Sequence, residues 1–372
     1  MKILLLTPSI RPLGARRSLV ELVRALPAGF TPLVVVPAMD GIALELKDLG
    51  VDLVVAPQGA WRKLGGRLTA VFFQVPKIRR AIRSFAPDVC HANEFHVVPQ
   101  LLSAKIGNLG ISGHIRLGIT PRQIQTYNLK GLDRIVTVSK AVASLLDGTG
   151  LEDRVRVVYN GVDLGNCLSA APGGKSGSSV ETGIRVGLLG LVSDRKNQLV
   201  AAEAVALVGR RGIPAHLVVA GDAFGSSEEY GRRLRARLAE PDLVGRSTWL
   251  PFQSDVASVY RELDLNLLIS KEEGFGRTIV EAGALGIPSI GTRIGGIPEL
   301  IDDGRTGWLV NEGDVEGLAD AIEHAARDQA ERLRRGEAAR QRVINEFTIQ
   351  AHVSHMIRVW EEAIEGASRR SA

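Results

Sequence analysis

The sequence predicts an α/β chain made of two doubly wound domains of similar size, facing each other across a cleft. Three observations carry that prediction. Short apolar runs of strand length alternate with helical patterns. The runs are almost continuously apolar rather than alternating, as in parallel strands covered on both faces. The alternation stops once, in a Gly- and Ser-rich stretch, and then restarts.

In the first half the strand candidates are KILLLT, PLVVVP, DLVVAP, DVCHA, RIVTVS and RVVYNG. Helix candidates between them include residues 17–26 and 139–146, the second with Ser139 as N-cap. These elements assign residues 1–166 to an N-terminal Rossmann-like domain. CLSAAPGGKSGSSVETG, residues 167–183, has the composition of a flexible linker. Strand runs then resume as IRVGLLG, AHLVVAGD, STWLPF, LNLLIS, PSIGT and GWLV, which assigns residues 184–348 to a second Rossmann-like domain. From about residue 314 the text is helical and rich in Ala, Glu and Arg. Its last part, 349–372, is expected as a helix placed to return to the N-terminal domain. In folds of this kind ligands bind at strand C-terminal ends and between domains.

Bulk composition agrees. A chain of 372 residues, 45% hydrophobic, is long enough for two domains. No apolar run reaches the roughly 18 residues of a membrane span, and MKILLLTPS reads as a first strand rather than a signal peptide. Two cysteines, Cys90 and Cys167, make neither a disulfide framework nor a metal pattern, which suits a reducing cytoplasm. The first 165 residues hold 21 Lys and Arg against 12 Asp and Glu; the remainder holds 25 against 29. The basic half faces an anionic partner or carries solvated arginines.

The candidate chemistry lies in KEEGFGRTIVEAGALGIP, residues 271–288, where Glu273 and Glu281 bracket a glycine turn. A strand ends near Ser270 and a helix starts near Arg277. Gly274 and Gly276 let the backbone approach a ligand. The amides of a Gly-Phe-Gly turn at a helix start suit a diphosphate. Glu281, a turn into the helix, can accept from the hydroxyls of a ribose, and Glu273 from those of a sugar. Taken alone, the pair also reads as a surface acid and a first-turn charge that suits the helix dipole.

EGFGRTIVEAGALGIPSIGTRIGGIPELIDDGRTGWLV resembles the nucleotide-sugar site of retaining GT-B glycosyltransferases of family 4. VVYNGVD, LDRIVTVS, LGLVSDRKN and GARRSLVEL are similar to further segments of that family, so the resemblance covers nearly the whole chain. It implies a GT-B fold, with residues 1–166 binding the acceptor and 184–348 the nucleotide sugar, and transfer of a hexose from a nucleoside-diphosphate sugar, with retention, to a hydroxyl of a glycan or lipid-linked acceptor in cell-envelope polysaccharide or glycolipid synthesis. It implies catalytic roles for Glu273, His114 and Lys196. Donor binding falls to Gly14, Arg195, Lys196, Gly274, Phe275, Gly276, Arg277, Thr278 and Glu281. His91 and His96 are weaker candidates near the same site. No metal or other cofactor is expected, and no D-x-D pair occurs in the sequence. Two departures stand out. Leu191 follows the glycine where the family has an arginine, and Leu13 and Arg16 replace a glycine and an acid in the N-terminal loop.

Residues 61–85, WRKLGGRLTAVFFQVPKIRRAIRSF, interleave bulky apolar side chains with Arg62, Lys63, Arg67, Lys77, Arg79, Arg80 and Arg83, and contain no acid. Such a segment suits either an anionic bilayer, which would make the protein peripheral on the inner face of the cell membrane, or a core helix with a solvated basic face. No nucleic-acid motif accompanies the charge. Two alternatives stay open: a catalytically silent sugar-nucleotide-binding or scaffold protein, favoured by Leu191 and Arg16, and a nucleotide-sugar epimerase.

Overall fold

A computed structural model describes residues 1–8, 14–39, 41–57, 61, 64–163 and 183–369. The linker at 167–183, apart from Gly183, lies outside the described residues, as do Leu13, Arg62 and Lys63. The chain divides into two compact units: Met1–Gly161 with Ile349–Ala372, and Val162–Thr348.

The first unit holds seven parallel strands: β1 (Lys2–Leu6), β2 (Thr31–Val36), β3 (Asp52–Val55), β4 (Val89–Ala92), β5 (Gly110–Ile115), β6 (Arg134–Thr137) and β7 (Val155–Val157). Their order is β3-β2-β1-β4-β5-β6-β7. The chain winds one way from β1 to β3 and the other way from β4 onward, so the topological switch lies between β1 and β4. Ile3, Leu4, Leu5 and Leu6 are all fully buried, the reason this strand reads as continuously apolar.

Strand β5 was not among the six expected here. GISGHI has no apolar run, yet all six residues are buried, because β4 and β6 flank it and a helix lies across it. A Cβ on Gly110 would come 2.7 Å from the Ala363 carbonyl oxygen, so the close approach of that helix selects glycine over a β-former. The helix is Ile349–Arg369. Its Ile349, Val353, Met356, Trp360 and Ala363 recur at helical spacing and join Leu5, Val34 and Val136 in one core. Arg134 and Arg156 clamp it through Glu362 at 2.6 and 2.8 Å.

The second unit holds β8 (Ile184–Leu189), β9 (Ala215–Ala220), β10 (Ser247–Leu250), β11 (Leu265–Leu268), β12 (Ser289–Thr292) and β13 (Gly307–Val310), one for each run the sequence predicts. Their order, β10-β9-β8-β11-β12-β13, repeats the doubly wound pattern of the first six strands of the other sheet. Val186, Leu188, Leu217, Val219, Leu265 and Leu267 form its core with the helices Gln198–Arg210 and Val315–Arg327. Both units are Rossmann-like. No helix among the described residues is long and apolar enough to cross a membrane.

Candidate active site

In the second unit the loop from β11 leads into the helix Arg277–Ala284. Gly276 takes φ +109°, a conformation that strains any residue with a Cβ, and a Cβ there would lie 2.8 Å from Leu268 Cδ2. No side-chain hydrogen bond caps this helix start, and its positive dipole end suits an anion. The loop is pinned from outside: Gly296 N donates to Glu273 O at 3.1 Å, and Thr292 Oγ1 to Ser270 O at 2.8 Å.

Glu273 Oε2 accepts from Lys196 Nζ at 2.5 Å and from Ser270 Oγ at 3.4 Å. Burial pushes this carboxyl up, but Lys196, and Arg195 behind it, more than offset that and hold it below the ordinary glutamate value. Lys196 closes the short turn Asp194–Lys196 after β8. Arg195 Nη1 donates to Glu272 O at 3.0 Å and Lys271 N to Arg195 O at 2.8 Å, lacing the two loops together. An ammonium has three N–H donors, and Glu273 engages one. Further on, Arg277 Nε and Nη2 both donate to Glu281 Oε1, at 3.3 and 3.0 Å, a spacing one helical turn allows.

The second unit thus gathers Arg195, Lys196, Glu273, Gly274, Phe275, Gly276, Arg277, Thr278 and Glu281 on two joined loops and one helix start. Two details refine the sequence reading. The Phe275 side chain is buried edge-on against Phe347, and its backbone hydrogen-bonds to the Glu273 carboxylate. Thr278 Oγ1, Ser193 Oγ and Asn197 Nδ2 are buried without a hydrogen-bond partner among the described residues. Leu191, partly buried after Gly190, brings no charge to these loops.

Gly14 and His114 lie in the first unit. Gly14 is exposed at the start of the helix Gly14–Arg24. Arg16, two residues on, pairs with Glu94 at 3.1 Å, and His96, stacked on Phe95, lies 3.7 Å from the same carboxylate.

His114, near the end of β5, is 0% exposed. Its Nδ1 lies 3.0 Å from His91 Nε2 and 3.3 Å from Arg116 Nη2. A guanidinium only donates, so His114 Nδ1 accepts and the ring proton sits on Nε2. His91 Nε2–H then donates to the same nitrogen, and His91 Nδ1 accepts from Ser112 Oγ at 2.8 Å. His114 Nε2–H is left buried and unpartnered among the described residues. Burial, with Arg116 and the neighbouring rings, lowers His91 to about 3 and His114 well below the usual histidine value, so both are neutral near pH 7.

The sequence reading did not single out Arg116, Asn93, Glu94, Asn160 or His352. Arg116 donates to Asn93 Oδ1 at 2.7 Å and to Asn160 Oδ1 at 3.1 Å. Asn160 stands inside the quoted VVYNGVD segment, the one signal that points to it. His352 Nδ1 lies 2.7 Å from the Tyr159 carbonyl, and nothing local in the sequence connects the two.

Comparison with known proteins gives the family and the fold. The family Glycosyltransferase Family 4 matches residues 13–166, and Glycosyl transferases group 1 matches residues 175–342. The D-inositol 3-phosphate glycosyltransferase of Pseudarthrobacter chlorophenolicus is 31% identical over 336 residues, 82% of this chain and 79% of that one. The chain belongs to glycosyltransferase family 4. The N-acetyl-alpha-D-glucosaminyl L-malate synthase of Bacillus anthracis is 39% identical over 119 residues, 32% of this family 4 chain and only 31% of that protein. Among solved structures, Anabaena HepE in complex with UDP and glucose superposes with a TM-score of 0.83 at 22% identity, covering 97% of this chain and 99% of that one. A glycosyltransferase from Rickettsia africae gives 0.82 at 22% identity, covering 98% of each. The fold of this family 4 glycosyltransferase is GT-B.

Proposed function

We propose that this glycosyltransferase moves a hexose from a nucleoside-diphosphate sugar to an acceptor hydroxyl, with retention of anomeric configuration. One observation carries the reading. Lys196 is held 2.5 Å from Glu273, on the loop that opens into the Gly276 helix start and leads to Glu281 one turn on. In this reading the helix-start amides and the two remaining donors of Lys196 take the diphosphate. As the sugar–oxygen bond breaks, they stabilise the charge that develops on the leaving phosphate. Arg277 occupies Oε1 of Glu281, so Oε2 accepts from the ribose. Glu273 accepts from hydroxyls of the transferred sugar and keeps Lys196 in place. Glu273 is committed to that pair and is no free nucleophile. Attack on the same face as departure, with the departing phosphate taking the acceptor proton, then accounts for retention.

His114 serves as a neutral donor through Nε2–H, in the tautomer its partners impose, rather than as a base. Gly14 and Arg195 complete the donor contacts. No metal takes part in this scheme.

The acceptor is a glycan or a lipid-linked hydroxyl used in building the cell envelope. A second reading is a small anionic acceptor. The excess of Lys and Arg in the first 165 residues favours it, and relatives carry inositol 3-phosphate and L-malate in their names. Incubation with UDP-, GDP- and ADP-hexoses and each acceptor class, read by NMR of the new anomeric proton, tests the proposal. A single retained product from one donor is expected. An inverted anomer, or a donor altered with no acceptor present, contradicts it.

A further inference from the structure

The helices Leu64–Thr69 and Val75–Phe85 are joined without a break by a π-helical turn, Ala70–Gln74. A π-turn closes with i→i+5 bonds and shifts the phase of whatever follows. Here Ala70 and Gln74 are buried, and the three residues between them face outward. Phe72 is 66% exposed, Phe73 65%, Leu68 51% and Val71 45%. No other described stretch places large apolar side chains in water so densely. Gln74 is buried there with neither amide atom hydrogen-bonded among the described residues.

Along the same helix Lys77, Arg79, Arg80 and Arg83 are exposed, with Arg67 before the turn. Lys77 and Arg79 reach backbone carbonyls, of Val55 at 3.3 Å and Ser103 at 2.6 Å, and Arg67 reaches that of Trp61 at 2.8 Å. Among the described residues none of the five is paired with a carboxylate. An uncompensated cationic stretch beside protruding aromatics matches an anionic headgroup layer above hydrocarbon. A protein partner would need acids set around an apolar pocket; a bilayer of anionic lipid offers both features everywhere.

We infer that this surface docks the enzyme on an anionic bilayer, with Leu68, Val71, Phe72 and Phe73 entering the headgroup boundary and the basic residues meeting the lipid charges. The inference deepens the lipid-linked acceptor reading and rests on it only for its purpose. The test is cosedimentation of the full chain, without donor or acceptor, with phosphatidylcholine vesicles lacking or containing phosphatidylglycerol. Wild type is expected on the anionic vesicles only and is released by salt. Phe72→Ser with Phe73→Ser lowers the partition roughly tenfold or more, at unchanged turnover of a soluble acceptor. Arg79→Glu with Arg80→Glu lowers it independently and flattens the salt dependence. Wild type left in the supernatant, equal binding to neutral vesicles, or both double variants binding like wild type overturns the inference. So does a wild-type dimer that the phenylalanine variant dissociates in the absence of vesicle binding, which would give the patch to a second copy. Vesicle binding with no transfer to any lipid-linked acceptor leaves docking intact and rejects the acceptor reading alone.

Discussion

The two units bury polar groups in opposite ways. In the second, Lys196, Glu273, Arg277 and Glu281 are charged, paired with one another and only partly covered. In the first, His91 and His114 are uncharged, fully covered and ordered by the direction of their hydrogen bonds. A charged pair at a rim can exchange its partner for a phosphate or a hydroxyl with little change in solvation. The neutral cluster cannot, because every ring nitrogen of the two histidines except His114 Nε2 already has a fixed partner. One arrangement suits a ligand that comes and goes, the other the fixing of a single donor atom.

The most severe way to break the sealed half is through its cover. Trp360 is fully buried, with its ring edge-on to His91 at 6.1 Å. Trp360→Ala is expected to cost about 3–5 kcal/mol in urea unfolding, the range for a large aromatic removed from a core. A cost below about 1 kcal/mol would mean the cluster is not sealed.

Lys196→Ala attacks the exchangeable half. It is expected to lower kcat by roughly 10²–10³ with a smaller change in donor KM, since a leaving-group contact matters most as charge develops. Steady-state kinetics with the preferred donor decides this. A rise in KM at constant kcat would make Lys196 a binding residue only.

Swapping the His114 donor sharpens the contrast between the halves. His114→Ala is expected to reduce kcat/KM about tenfold, the value of one neutral hydrogen bond. His114→Gln, whose Nε2 still donates, should recover most of it. If both lose the roughly 10²–10⁴ of a general base, the neutral-donor role is wrong.

The smallest effect is on pH dependence. An unfolded histidine takes a proton near 6.5, whereas native His91, facing Arg116, His114 and His352, resists protonation down to about 3. The unfolded state binds more protons across that window, so stability rises with pH there and is lost on acidification below about 6.5. Glu94 and Glu273, held below the ordinary glutamate value, stay ionised above pH 5, so pH 5–6.5 isolates the histidines. Replacing His91 by Gln should flatten the slope by up to about 1.4 kcal/mol per pH unit, read from urea melts at several pH values. An unchanged slope would mean His91 is solvated.

These halves also differ in how well the sequence reveals them. Glu273, the glycine turn and Glu281 are contiguous, and a strand end, a turn and a helix start can each be read locally, so the helix start at Arg277 was placed as found and the strand end to within two residues. Lys196, on a separate loop, was picked out by resemblance to the family, and its contact with Glu273 was not foreseen. The histidine cluster draws on positions 91, 112, 114, 116, 160 and 352, and no local pattern links them. Strand β5, which carries two of these, was missed because packing against the Ile349–Arg369 helix favours glycine at Gly110 over an apolar residue. The π-turn was equally hidden. Residues 61–85 read as basic and apolar, but which side chains face outward depends on a one-residue phase shift that composition does not contain.

Calorimetric titration of UDP, GDP and ADP into wild type, Glu281→Ala and Lys196→Ala tests the central claim most directly. The account predicts that one nucleotide binds wild type and that each substitution weakens it at least tenfold, with both variants folded as judged by circular dichroism. Equal binding by all three proteins would place the donor somewhere other than the Glu273–Glu281 loop and contradict the account.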